Sequence, residues 1–209
     1  QGALVAEEGK YLPEIKRYDI STVKGSVIVK DFSAEKFKMH LKSNKVNVIK
    51  ILPGGVVTAK DTAEIQLDEN GEFVRNPEED IVKVAVVERH QGTGNVACGF
   101  LKGYGIKAGA VALSIAHDSH NIIVVGVSDE EMEFAVNSLI AQEGGMVLVR
   151  EGKVLESMPM PIAGLMSDQS GEWVDEKLTA IHAKAYEELG IAGDVEPVMT
   201  LCFMSLAVI

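Results

Sequence analysis

Apolar and polar positions change rhythm several times along the chain, and each change predicts an element. Lys45–Leu52 alternates with a period of two and predicts a strand, Val56–Lys60 and Ala63–Leu67 predict two more, and Glu69-Asn70-Gly71 is a hairpin turn. Ile81–Val87 is almost unbroken in β-branched residues and predicts a central strand buried on both faces. Gly109–Ala116 and Asn121–Val127 predict two further strands, and Met146–Val149 with Val154–Met158 a hairpin. The rhythm becomes helical after Ser128, where Met132, Ala135, Val136, Leu139 and Ile140 form one stripe that Gly144-Gly145 ends. Asp175–Leu189 predicts a second amphipathic helix, Ser33 caps the start of a shorter one, and His40 and His182 fall on helical surfaces. Short strands are expected at Ser26–Val29 and at Met199–Ile209, and the opening residues read as a small hairpin turning at Glu7-Glu8-Gly9. From Gly92 onwards glycines punctuate short apolar pieces, and Gly99–Gly105 reads as a turn-rich hairpin. Strands outnumber helices and many are hairpin-linked. The expected class is α+β, with a mixed, mostly antiparallel sheet and helices packed on it.

Composition narrows the functions. With 209 residues and 46% apolar content the chain can fill a real core. A net charge of −11 opposes nucleic-acid phosphates and anionic lipid, so neither is an expected partner. No apolar run reaches the roughly 18 residues that span a bilayer, and the opening residues do not read as a secretion signal. Cys98 and Cys202, both in apolar contexts, read as core thiols rather than a disulfide or a zinc knuckle, which suits a reducing cytoplasm.

Phosphate-loop, nucleophile-elbow and H-x-E…PCxxC zinc signatures are all absent from the sequence. The densest polar cluster is His117-Asp118-Ser119-His120-Asn121, between two apolar strands. If Asp118 and Ser119 form a two-residue turn, His117 and His120 become directly opposed cross-strand neighbours. They are then about 5 Å apart at Cβ and able to share a metal, a proton or an anion. Asp118 can orient one imidazole. The alternative is a polar tip that satisfies only its own turn. A second cluster, Glu88-Arg89-His90-Gln91-Gly92-Thr93-Gly94-Asn95, leaves the central strand and reads either as part of a site or as a solvated strand exit. The candidate site-facing residues are thus His90, Thr93, Asn95, His117, Asp118, Ser119, His120 and Asn121, with His90, His117 and His120 as candidate metal ligands. Pro159–Asp168, apolar, sulfur-rich and stiffened by proline, reads as a packed connection or as part of a pocket wall.

Five ordered motifs carry a family resemblance: VVERHQGTGN (86–95), GFLKGYGIKAGAVA (99–112), AHDSHNIIVVG (116–126), PIAGLMSD (161–168) and MTLCF (199–203). Together they resemble the C-terminal domain of the adenine deaminases, within the amidohydrolase superfamily. That resemblance implies an enzyme converting adenine and water into hypoxanthine and ammonia. It also implies a binuclear manganese or iron centre in a (β/α)₈ barrel, whose ligands include an HxH motif. This chain contains no HxH and has no room for a barrel, so no catalytic ligand carries over. The resemblance therefore implies adenine as the substrate of an intact enzyme, the barrel domain as a partner, a homo-oligomer, and a chain that is inactive alone. Residues 1–14 resemble the end of a preceding small β-domain, leaving 15–209 as the C-terminal α+β domain. The competing reading is a self-standing metal or small-molecule binding module built on His117 and His120.

Overall fold

A strand of β-branched residues with no polar face needs cover on both sides, and Ile81–Val87 receives it near the centre of an eight-stranded sheet. The computed structural model describes residues 2–206. In chain order its strands are β1 (Ala6–Glu7), β2 (Lys10–Tyr11), β3 (Lys45–Ile51), β4 (Thr58–Glu64), β5 (Gln66–Leu67), β6 (Phe73–Val74), β7 (Ile81–Val87), β8 (Val96–Lys102), β9 (Ala110–Leu113), β10 (Ile122–Gly126), β11 (Gly145–Arg150) and β12 (Lys153–Pro159). The helices are α1 (Asp129–Ala141), α2 (Gly171–Glu187) and α3 (Pro197–Phe203). The large sheet runs β12-β11-β9-β10-β7-β8-β3-β4, and only β3 and β8 pair in parallel. The pairs β1–β2 and β5–β6 stand apart as small hairpins. The class is α+β with a mixed, mostly antiparallel sheet, and the described residues contain no (β/α)₈ barrel.

The period of two sorts each central strand between two cores. Val82 and Val84 of β7, Val111 and Leu113 of β9, and Ile123 and Val125 of β10 face α2 and α3, where Ile181, Ala185 and Leu201 meet them. Their alternates, among them Ala85, Val87, Ala112 and Val124, face α1 and pack on Met132, Ala135, Val136 and Leu139. Ser128 caps α1, its hydroxyl accepting from the Glu131 amide as the sequence pattern implies. At the opening of β9, Gly109 has a positive φ, and an added Cβ would fall 1.9 Å from the Val149 carbonyl oxygen. The sheet closes tightly there.

Several expected elements differ. The stretch read as two strands, Val56–Lys60 and Ala63–Leu67, is one strand, β4, followed by the short β5. Gly99, read as a turn, lies inside β8 opposite Val84. Ser26–Val29 forms no strand, although the Ile28 amide donates to the Arg89 carbonyl. The helix expected after Ser33 is only a 3₁₀ turn over Ala34–Phe37, so His40 lies beyond it, its ring on Glu72, rather than on a helical surface. The strand expected over Met199–Ile209 is helix α3 as far as Phe203, and its last three positions lie outside the described residues. Pro197 at the start of α3 and the Glu196 side chain capping it supply the helical geometry. Cys202 is buried, whereas Cys98 is only half-buried.

Candidate functional site

The site is assembled where β7 ends, β9 turns into β10, and α3 closes over the turn. The expected two-residue turn does not form. β9 stops at Leu113 and β10 starts at Ile122, leaving 114–121 as a longer connection. Leu113 pairs with Ile123, and that register, continued outwards, places Ala116 rather than His117 opposite His120. The His120 amide accordingly donates to the Ala116 carbonyl at 2.7 Å. His117 and His120 therefore share one tip without being a directly opposed pair.

Each histidine is held differently. The His117 amide donates to the Cys202 carbonyl at 2.7 Å, and its ring stacks on Phe203 with centroids 4.9 Å apart and 17° between planes. Helix α3 therefore forms a wall behind it. Asp118 Oδ1 lies 3.9 Å from His117 Nδ1, too far for a hydrogen bond. His120 has a positive φ of 53°, and its Nδ1 is buried without a hydrogen-bond partner among the described residues. His90 Nε2 lies 2.9 Å from the Ser119 carbonyl oxygen. A carbonyl only accepts, so Nε2 is the donor and the ring is tied to the tip. Ser119 Oγ accepts from the Asn121 amide at 3.4 Å, and Asn121 Oδ1 accepts from the Arg89 amide at 3.3 Å.

Thr93 and Asn95 belong to a second layer, organised by Glu88. One Glu88 oxygen accepts from the amides of His90 (2.5 Å) and Gln91 (2.8 Å). The other accepts from the amide and hydroxyl of Thr93, each at 2.9 Å. Asn95 donates its amide to Thr93 Oγ1 and offers its carbonyl to the Glu88 amide. These donors, the Thr93 amide foremost, outweigh the opposing effect of burial and hold the Glu88 carboxyl down at about 2. Glu88 thus stays an anion that folds the 88–95 loop around itself and presents His90 to the tip.

The sequence places Glu88 and Arg89 in the second cluster but gives neither a role of its own in the site. Arg89 is 1% exposed, not the solvated charge of a strand exit. Its Nε donates to the His120 carbonyl (2.5 Å) and its Nη2 to the Ala163 carbonyl (3.1 Å). An apolar strand running straight into a charged residue was the one available signal. Neither thiol adds chemistry, since burial pushes both Cys98 and Cys202 up to about 11.

No three His, Cys, Asp or Glu side chains among the described residues converge as a metal-holding group. The described residues therefore form no ready-made metal centre of their own. The larger clefts lie elsewhere. One of about 750 Å³ opens between Tyr11, Ile15, Tyr18 and Ser170, and one of about 380 Å³ between Gly54, Tyr186, Glu196 and Thr200 at the start of α3. No helix among the described residues is long and apolar enough to cross a membrane.

Comparison with known proteins places this arrangement in a family. The profile of the adenine deaminase C-terminal domain matches residues 55–209. The chain is 65% identical over 208 residues to the adenine deaminase 2 of Desulfotalea psychrophila. It is 48% identical over 208 residues to the adenine deaminase of Ligilactobacillus salivarius, and 44% to the adenine deaminase 2 of Carboxydothermus hydrogenoformans. Each alignment covers 100% of this chain but only 36% of the relative. With more than half of its length matched by the profile, the chain belongs to the adenine deaminase C-terminal domain family.

Proposed function

We propose that this chain is the C-terminal part of a metal-dependent adenine deaminase, and that its histidine tip faces the catalytic centre of the intact enzyme. The supporting observation is the unpartnered, buried Nδ1 of His120, on a tip braced by Arg89, Glu88 and α3. A buried polar atom without a partner costs about 1–3 kcal/mol, a cost expected at a site that meets a ligand. His90, bonded to the Ser119 carbonyl, and His117, stacked on Phe203, bring two more imidazoles to the same tip. The overall reaction replaces the exocyclic amine of adenine with oxygen from water, giving hypoxanthine and ammonia. The leaving amine needs a proton, and His90, His117 and His120 are this chain's candidates to deliver or relay it.

In this reading, a binuclear manganese or iron centre belongs to barrel residues outside the chain, with His90, His117 and His120 turned towards it. The barrel is then the tip's partner, in the same polypeptide or in a neighbouring copy of a homo-oligomer. Residues 1–14 are the end of a preceding β-domain, which suits a hairpin whose strand residues are all exposed and pair only with each other among the described residues. A cytoplasmic setting suits the two unpaired thiols.

The chain alone should not turn adenine over, because it lacks the groups that activate water. The test is hypoxanthine formation by the purified 209-residue chain with manganese, iron or zinc, beside the full-length protein. Turnover only by the full-length protein is expected. Multiple turnovers by the chain alone, surviving repurification, would overturn the reading.

A further inference from the structure

Arg89 heads the largest side chains that are fully buried, and no ion pair joins it to a carboxylate among the described residues. A buried guanidinium stays charged, and a well-packed apolar residue of similar size generally serves stability as well or better. Stability is thus a poor explanation for an arginine at this position. Its geometry offers another. The planar fork spans two segments far apart in sequence, meeting the His120 carbonyl 31 residues away and the Ala163 carbonyl 74 residues away. The backbone at Gly164 lies against the same group, since an added Cβ would fall 2.7 Å from Nη1. The Gly164 carbonyl accepts from Ser114 Oγ at 2.5 Å, and that oxygen accepts from the Gly145 amide at 2.7 Å. The strand ends bounding the tip, the 161–166 loop and the tip itself are thus locked to one cation.

We infer that Arg89 is a positioning residue for the deamination reaction: its guanidinium fixes the His120 backbone against the 161–166 loop and so sets where the tip's imidazoles point. This rests on the proposed function above. A single ammonium, a point donor on a flexible stem, cannot hold both carbonyls in the plane that the fork imposes. Misplacing a proton-handling group by a fraction of an ångström chiefly slows the chemical step, leaving substrate binding largely intact.

The experiment uses the full-length deaminase carrying Arg89→Met, Arg89→Lys or, as a destabilised control whose side chain lies in the core beneath α1, Leu139→Ala. Melting temperature, kcat and KM for adenine are measured for each, below the transition of the least stable variant. The expected result is a kcat lowered about 10- to 100-fold in Arg89→Met with KM changed less than about threefold, while Leu139→Ala keeps its kcat despite a comparable loss of melting temperature. Arg89→Lys, which keeps the charge and stem, should fall between wild type and Arg89→Met, and it decides the matter if Arg89→Met does not fold. A kcat within about twofold of the control in a folded Arg89 variant overturns the inference. A fourth enzyme, His117→Asn with His120→Asn, separates the two readings. If it is impaired while the Arg89 variants are not, only the role of Arg89 fails. If it matches wild type, the tip has no part in the reaction and both fail.

Discussion

Replacing His117 and His120 together by Asn in the full-length protein is expected to lower kcat/KM for adenine about 10²- to 10⁴-fold, the range associated with losing a positioned acid or base. Asn suits this test because the tip is held chiefly through its backbone. The His117 amide meets the Cys202 carbonyl and the His120 carbonyl meets Arg89, and neither contact needs an imidazole. Asn also tolerates the positive φ found at His120. What is lost is the ring stacked on Phe203 and the unpartnered Nδ1 of His120. Melting temperature should change little while turnover collapses. Wild-type turnover, substrate affinity and metal content in the double variant would reduce the cluster to a structural turn.

Glu88→Gln is expected to destabilise the protein at neutral pH by about 1 kcal/mol, because a neutral amide is a weaker acceptor for the amides of His90, Gln91 and Thr93. The pH dependence gives the sharper signature. The Glu88 carboxyl is held at about 2 in the folded state, below its ordinary value of 4.5. The stabilisation is therefore complete above about 4.5 and disappears as pH falls through about 2. The difference in melting temperature between wild type and Glu88→Gln should be constant from pH 7 to about 5 and shrink steadily below that. A difference that does not change between pH 5 and 2 would mean that the carboxylate is not the loop's organising charge.

What the sequence revealed and what it hid have physical causes. The central strand β7 was legible to the residue, because only burial on both faces accommodates Ile-Val-Lys-Val-Ala-Val-Val; even Lys83 is buried there, bonded to Asp129 and the Phe37 carbonyl. Helix α1 was equally plain from its stripe and its Ser128 cap. Met199–Phe203 misled because one turn of helix and one short strand look alike at that length, and the cues at Glu196 and Pro197 lie just upstream. The cluster at 117–121 was visible by composition, but its geometry was not. Register depends on where β9 and β10 stop pairing, and continuing the strands to Ala116 and Asn121 assumed a turn too short by several residues. Arg89 was hidden for a different reason. Its two carbonyl partners come from distant loops that only the folded chain brings together, so in the sequence it reads as one more charge at a strand end.

Whether this tip meets the reacting purine is decided by a structure of the full-length protein with a bound purine and its metals. An imidazole of His90, His117 or His120 is expected within about 3 Å of the ligand or of a water bridging to it, with Arg89 still spanning His120 and Ala163. A tip open to solvent, remote from the purine and unchanged when it binds, would contradict it.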